Sequence, residues 1–559
     1  MSSDNGKNQV IVQGSILAAA SLIVRFIGLI YRIPMTRIIG DTGIGYYSTA
    51  YQVYNVVLLL SSYSMPQALS KLMAGKLAKR QYRNTNRYFL CTLSVSVFAG
   101  AVFSSMMYFG SGFIAGTLLN ADMAEYSLKV LAPTVFIMSI LGVFRGFFQG
   151  FETMVPTAMS QVIEQIINAI VSIIGAAVLF AQGHRIDLVK GTENYSAALG
   201  AQGGTLGTLW GAIAALVFIL FVFAIFYGDF RKKMKKEPAK RVYPYGRVYK
   251  EIYGMVIPII MSTVIFHVLN IIDNGVYNFF MRRTSIDEKT YMAIWGVYSG
   301  KFQLLINLPI SLATAMASSI IPQLSRAVEK RDKVDIHKKI DSSLRFTTLI
   351  TIPCMVGLAA LGNDIVELLF GKTATAADAG MMLITGGLSV LFFAYATISN
   401  GILHGLGKMY STVINALIAL GVHLVVLLAM LWLFDFGIYS VVIAYTVFGM
   451  AVFFLNNYRI YSCTGYAGTP GKTYIRPFLA SVVMGIVVFG LNLILKKSFV
   501  YILVNKTLTN AFSLIVSMTA GIFIYFVVAI ALKTADEADL LEMPMGGRMV
   551  KYAKKLRLL

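Results

Sequence analysis

Apolar runs long enough to cross a bilayer alternate with short polar breaks along almost the whole chain, and this pattern predicts about fourteen helices. They fall near 11–38, 46–74, 87–112, 124–149, 156–182, 201–228, 251–280, 292–325, 342–369, 379–404, 410–434, 437–461, 476–496 and 508–532. The expected fold class is an all-α polytopic membrane protein. A mean hydropathy of +0.70, with 57% hydrophobic and 13% charged residues, excludes an ordinary soluble protein of 559 residues.

Charge placement then sets an expected orientation, because lysine and arginine in short loops favour the cytoplasmic side. Lys71, Lys76, Lys79, Arg80, Arg83 and Arg87 surround the connection after span two, and Arg326, Lys330, Arg331, Lys333, Lys338 and Lys339 follow span eight. Between spans six and seven, the stretch from Arg231 to Lys250 holds nine basic residues against the single acid Glu237. Connections after odd-numbered spans are mixed or acidic, so both termini are expected in the cytoplasm. The formal charge of +22 is thereby explained without a nucleic-acid partner. No positively flanked segment with a small-residue cleavage site precedes span one, so the N-terminus is expected to be unprocessed. Along Met549–Leu559 apolar and basic positions separate onto two faces, which reads as an amphipathic helix on the inner leaflet or as a frayed tail.

The chain also repeats itself. Gly146-Phe-Phe-Gln149-Gly150 recurs 255 residues later as Gly401-Ile-Leu-His404-Gly405, and each stands six residues before a Pro-Thr or Ser-Thr pair. Met65-Pro66 in span two matches Leu308-Pro309 in span eight, and the ends of spans three and nine agree as well. Three matches in one order imply two six-helix halves of the same orientation, related by an axis along the membrane normal, with the substrate site between them. The expected division is an N-lobe over 1–230, a basic cytoplasmic linker over 231–250, a C-lobe over 251–462, spans thirteen and fourteen over 463–533, and the tail over 534–559.

Candidate chemistry lies in polar residues inside the spans, where a charge costs at least a few kcal/mol. Arg25 and Arg32 are seven residues apart, two helical turns, so they share one stripe of span one with Gly28. Guanidinium groups on a cavity wall suit a phosphate, which they bind by paired hydrogen bonds. The alternative is that both snorkel to the membrane surfaces as anchors. On span seven His267, Asn270, Asp273 and Asn274 form one polar face, and on span five Gln161, Glu164, Gln165 and Asn168 form another. Such faces can bind sugar hydroxyls or a coupling cation or proton, or they can tie helices together, and the tie is favoured for the uncharged residues. Glu164, Asp273 and Lys301 point to function, although one salt bridge between the halves would satisfy two of them. His423 reads as a packing residue, and Pro66, Pro258, Pro309 and Pro353 would bend or loosen their spans. The three cysteines, Cys91, Cys354 and Cys463, are scattered and read as packing residues, and the five histidines offer no metal site, so no cofactor is expected. Enzymatic motifs and a nucleotide-binding domain are absent, and any transport must draw on an ion gradient, the membrane potential or the substrate gradient.

The run from Arg25 through Gly28, Arg32, Pro34, Arg37, Gly40, Asp41, Gly43 and Gly45 to Tyr46, with Met65-Pro66 to Lys71, resembles the stage V sporulation protein B and YtgP group. That group belongs to the superfamily of MATE exporters, polysaccharide-unit flippases and the lipid II flippase MurJ. The resemblance implies fourteen helices, two six-helix lobes in a V, and two extra helices that form a groove for a polyprenyl tail. It also implies flipping of a lipid-linked cell-wall precursor. By position Arg25 and Arg32 match the first-helix arginines of the lipid II flippases, with spacing one residue longer. The arginine such flippases carry in span two falls here among Leu60, Ser61 and Ser62, and the one in span eight is absent near Leu304, with Lys301 about a turn away.

The expected function is therefore a flippase, not an enzyme, that moves an undecaprenyl-diphosphate-linked peptidoglycan precursor (lipid II) to the outer leaflet by alternating access. Arg25, Arg32 and Lys301 would hold the diphosphate, while Glu164, His267, Asn270, Asp273 and Asn274 would contact sugars or a coupling ion. The alternatives are another lipid-linked polysaccharide unit, drug or cation export, and a scaffold for sporulation or division enzymes. The expected partners are the lipid-linked glycan, membrane lipids and cell-wall synthesis enzymes around a monomer in the bacterial cytoplasmic membrane.

Overall fold

A computed structural model describes residues 2–237, 242–371, 376–499 and 505–534. Among these every regular element is helical. The α-helices are α1 (Ser2–Leu58), α2 (Met65–Leu77), α3 (Tyr82–Phe109), α4 (Glu125–Gly150), α5 (Val155–Lys190), α6 (Tyr195–Lys236), α7 (Tyr245–Arg283), α8 (Glu288–Val297), α9 (Gln303–Glu329), α10 (Lys333–Phe370), α11 (Ala376–Thr385), α12 (Gly387–Gly405), α13 (Met409–Trp432), α14 (Ile438–Thr464), α15 (Arg476–Phe499) and α16 (Lys506–Ala531). The amphipathic tail expected over 549–559 lies outside the described residues.

Eleven helical segments are long and apolar enough to cross a bilayer, or twelve if the halves of α7, Tyr245–Met261 and Thr263–Arg283, bent by 43°, count as one. These correspond to expected spans three to fourteen. The first two expected spans are helical but are not among these, so the count among the described residues stops short of fourteen. The chain turns at Gly40, whose φ of 69° and ψ of 178° belong to a region open essentially to glycine alone. It then runs through a π-helical turn, Leu59–Tyr63, into α2. Pro66 is tolerated at the start of α2, where its missing N–H has no partner to lose.

Packing divides the chain into two compact units, Met1–Gly296 and Val297–Leu559. In the first, Phe89, Phe144, Phe147 and Phe223 meet mostly edge to face with centroids 4.9–5.5 Å apart, at the end that carries the basic loops. There the linker is tied down: the Tyr243 N–H donates to Asn84 Oδ1 at 2.9 Å and Arg87 donates to the Tyr243 carbonyl at 2.6 Å. Lys76 and Arg247 both lie over the Tyr243 ring, 4.6 and 4.3 Å from its centroid, so part of the positive charge is held against an aromatic face. At the opposite end Gly45 and Gly296 leave no room for a side chain, and the chain after Gly40 lies directly on α8.

In the second unit α9, α10, α12 and α14 enclose Leu324, Leu344, Ile398, Ile402 and Phe453. The last two helices pack on α10 through Leu361, Met484, Val488 and Leu514, and the Asp364 carboxylate accepts from Asn492 and Lys496.

The internal repeat has a packing counterpart within each unit. A Cβ on Gly146 of α4 would stand 2.7 Å from Pro66 Cα, and one on Gly401 of α12 would stand 2.9 Å from Ala317 Cβ of α9. Both helices thus lay a small-residue seam on the helix that carries the matched proline, α2 and α9 respectively. The register differs, since Gly401 sits level with Ala317, about two turns past the matched Pro309. Spans two and eight also share a π-helical turn, Leu59–Tyr63 and Tyr298–Phe302, a few residues before the matched prolines. Of the cysteines only Cys91 is buried; Cys354 is half-buried and Cys463 is exposed, which corrects the expectation that all three pack.

Candidate functional site

The inward direction of α5 follows from its sequence periodicity. Met159, Ile166, Ile170 and Ile174 form an exposed apolar stripe, and at 100° per residue Gln161, Glu164, Gln165 and Asn168 fall on the opposite side. The polar face is therefore turned into the first unit, away from lipid. On α1 the exposed stripe is Leu22, Ile23, Phe26 and Ile30, while Tyr31, Met35 and Ile39 are buried. Gly28 and Arg32 lie toward the buried side, and Arg25 is exposed at its edge. A Cβ on Gly28 would stand 3.3 Å from Gln165 Nε2, so the arginine stripe of α1 meets the polar face of α5 at that level.

Tyrosines line the same region. The half-buried Arg32 guanidinium lies 6.0 Å from the Tyr47 ring centroid, and Tyr31 and Tyr47 hydroxyls are 3.4 Å apart. Tyr51 is close enough to interact electrostatically with both Arg32 and Glu164, and its hydroxyl is 3.4 Å from Thr208 Oγ1. Glu164 has a partner that was not anticipated. Arg145 of α4, 9% exposed, donates through Nη2 to Glu164 Oε2 at 2.7 Å and through Nε to Ser160 Oγ at 2.9 Å. The acid is thus satisfied within its own unit. One turn earlier on α5, Gln161 Oε1 is buried with no hydrogen-bond partner among the described residues.

The polar face of α7 divides. Asp273, Asn274 and Asn278 are fully buried, whereas His267 is exposed. Asn274 donates to Thr49 Oγ1 at 2.8 Å and to Gln52 Oε1 at 3.2 Å. Asn278 donates to the Leu119 carbonyl at 2.8 Å and to Asn274 Oδ1 at 2.7 Å, so these amides tie α7 to span two and to the loop after α3. Asn270 donates back to the Phe266 carbonyl at 3.4 Å. Lys301 belongs to the second unit, where it is buried in the π-helical turn with its Nζ 5.9 Å from the Phe370 ring centroid. His423 is fully buried with Nδ1 2.8 Å from the Ala444 carbonyl oxygen, as a packing residue would be.

At the Gly40 end of α1 a cavity of about 530 Å³ is lined by Asp41, His184, Asp187, Glu193 and Lys289 among others. Its Asp187 carboxylate accepts from the Tyr195 and Ser196 N–H groups and from the Thr192 hydroxyl, and Glu193 pairs with Lys289, so these charges hold loops together. Among the described residues no His, Cys, Asp and Glu group could hold a metal ion.

Guanidiniums, tyrosines and amides on inward helix faces have the donor chemistry that an anion attached to a polar body would use. A family model described as polysaccharide biosynthesis protein matches residues 11–328, more than half of the chain. The chain belongs to this polysaccharide biosynthesis family. It is 22% identical over 422 residues to the lipid II flippase MurJ of Bacillus subtilis (strain 168), covering 73% of this chain and 75% of that protein. It is also 22% identical over 370 residues to stage V sporulation protein B of the same organism, covering 66% and 68%. Among solved structures, the inward closed conformation of MurJ superposes with a TM-score of 0.64 at 15% identity, covering 92% of this chain and 97% of that one. An inward-facing MATE multidrug transporter gives a TM-score of 0.64 at 14% identity, covering 82% and 99%. The fold is that of the MATE and MurJ transporters, and the polysaccharide biosynthesis member described here is a multi-pass membrane protein related to lipid-linked flippases.

Proposed function

We propose that this protein flips an undecaprenyl-diphosphate-linked peptidoglycan precursor, lipid II, from the inner to the outer leaflet by alternating access. The observation that carries this reading is Arg32, half-buried against Tyr47 on the stripe that meets the polar face of α5. A cation so placed in a membrane helix is costly unless an anionic group visits it. Arg25, at the edge of the same stripe, binds the diphosphate with Arg32, and Lys301 assists. Glu164, His267, Asn270, Asp273 and Asn274 serve the glycan or a coupling cation or proton. The basic loops support an arrangement with both termini in the cytoplasm, and the repeat supports lobes over 1–230 and 251–462 joined by a linker over 231–250. The protein works as a monomer beside cell-wall synthesis enzymes.

A second cargo, another lipid-linked polysaccharide unit, is favoured by one finding: the family model that matches residues 11–328 is described as polysaccharide biosynthesis protein. Complementation separates the two. Cells depleted of their lipid II flippase should grow when this chain is expressed; failure to grow at normal membrane levels would move the cargo to another glycan.

A further inference from the structure

Arg145 takes no part in the flippase reading as first drawn from the sequence, where Glu164 contacts sugars or a coupling ion, yet the two residues form an ion pair within the polar seam of the first unit. Glu164 is also the one acid well inside the first six expected spans; Glu125 stands at the start of span four. The pair is joined at a single point. Nη2 reaches one carboxylate oxygen at 2.7 Å and Nε turns to Ser160, so the two-pronged geometry of a strong arginine–carboxylate pair is not used. Nη1 makes no hydrogen bond to any described residue, so the guanidinium keeps donor capacity. The carboxylate side is the more open one, with the Glu164 side chain 22% exposed against 10% for Arg145. Glu164 interacts electrostatically with Tyr51 and Tyr54, and Tyr51 in turn with Arg32. A purely structural tie would spend the hydrogen bonds of the buried guanidinium fully. Here the cation is buried, half-used and covered by one displaceable carboxylate.

We propose that Arg145 is a third anion-binding cation of this seam, and that Glu164 is its internal counter-ion, which an arriving phosphate group displaces. The inference rests on the reading that the seam receives a diphosphate. Before binding, Glu164 spares the membrane interior an unpaired cation. On binding, the Glu164 carboxylate swings away, Arg145 turns its fork to the phosphate oxygens, and the released acid is left near Tyr51 and Tyr54. Exchange of one anion for another holds the ligand firmly enough to carry and weakly enough to release, because the carboxylate competes to return.

Equilibrium binding tests this in detergent with farnesyl diphosphate and, separately, inorganic pyrophosphate, on the full chain and on R32Q, R145Q, E164Q and R145Q/E164Q. Removing the competitor should tighten farnesyl diphosphate binding in E164Q by about fivefold, or about 1 kcal/mol. R145Q should weaken it by about tenfold, and the double variant should behave as R145Q, because the acid acts only through Arg145. The same signs with pyrophosphate at equal strength assign the site to free phosphate anions, and a larger effect with farnesyl diphosphate assigns it to a lipid headgroup. If wild type binds and R32Q does not, while E164Q and R145Q both weaken binding or neither changes it, the pair is a helix tie and the proposal is overturned with the seam intact. If wild type binds neither compound, the reading beneath it falls as well. Should E164Q fail to fold, Glu164→Asp withdraws the carboxylate while keeping its charge, and it must then bind more tightly than wild type.

Discussion

Replacing Arg32 by lysine keeps the charge and changes only its shape, so it separates a phosphate ligand from a membrane anchor. The guanidinium lies 6.0 Å from the Tyr47 ring centroid, and losing that stacking costs about 0.5–1 kcal/mol. Losing the second hydrogen bond of a two-pronged phosphate contact costs about 1–1.5 kcal/mol more. Together these make about 2 kcal/mol, or about 30-fold in affinity. The assay is equilibrium binding of a short-chain prenyl diphosphate to purified protein, with melting temperature recorded to show that the fold is unchanged. An anchor works as well with an ammonium as with a guanidinium. Affinity within about threefold of wild type for R32K would therefore refute the phosphate contact.

Two further outcomes follow from packing and exposure. Gly146→Ala pushes a methyl group to 2.7 Å from Pro66 Cα and should lower the melting temperature by about 2–4 °C, whereas Gly75→Ala, with nothing within 4 Å, should leave it unchanged; equal melting of the two would dissolve the small-residue seam. Cys463 is exposed after span twelve and Cys91 is buried, so a membrane-impermeant maleimide should label Cys463 in inside-out vesicles only, and labelling in intact cells would reverse the proposed orientation.

Much of this was legible in the sequence because bilayer thickness and helical period are rigid rulers. Twelve apolar segments matched expected spans, and the seven-residue spacing put Arg25 and Arg32 on one stripe. The polar face of α5 could be read in the same way, since its opposite side is an isoleucine stripe. Arg145 could not be picked out by periodicity, because it lies just before the Gly146 motif and reads as a charge near a helix end. Its signal is the hairpin. Arg145 and Ser160 each stand six residues from the ends of the turn 151–154, so antiparallel helices bring them level, and a long side chain reaches Glu164 one turn deeper. The amides of α7 were ambiguous for a different reason: a polar face fits a ligand or a neighbouring helix equally well, and periodicity does not give the placement of Thr49, Gln52 and Leu119, to which Asn274 and Asn278 donate. The π-helical turns leave no pattern in hydropathy, because one extra residue in a turn shifts the apolar face without interrupting it.

The measurement that bears most directly on the central claim is transfer of lipid II across the membrane of vesicles that contain only this purified protein. Wild type should expose lipid II added on one leaflet to a probe on the other, and charge reversal at Arg32 should abolish transfer while the protein remains folded and inserted. Transfer by the charge-reversed protein at the wild-type rate would contradict the account.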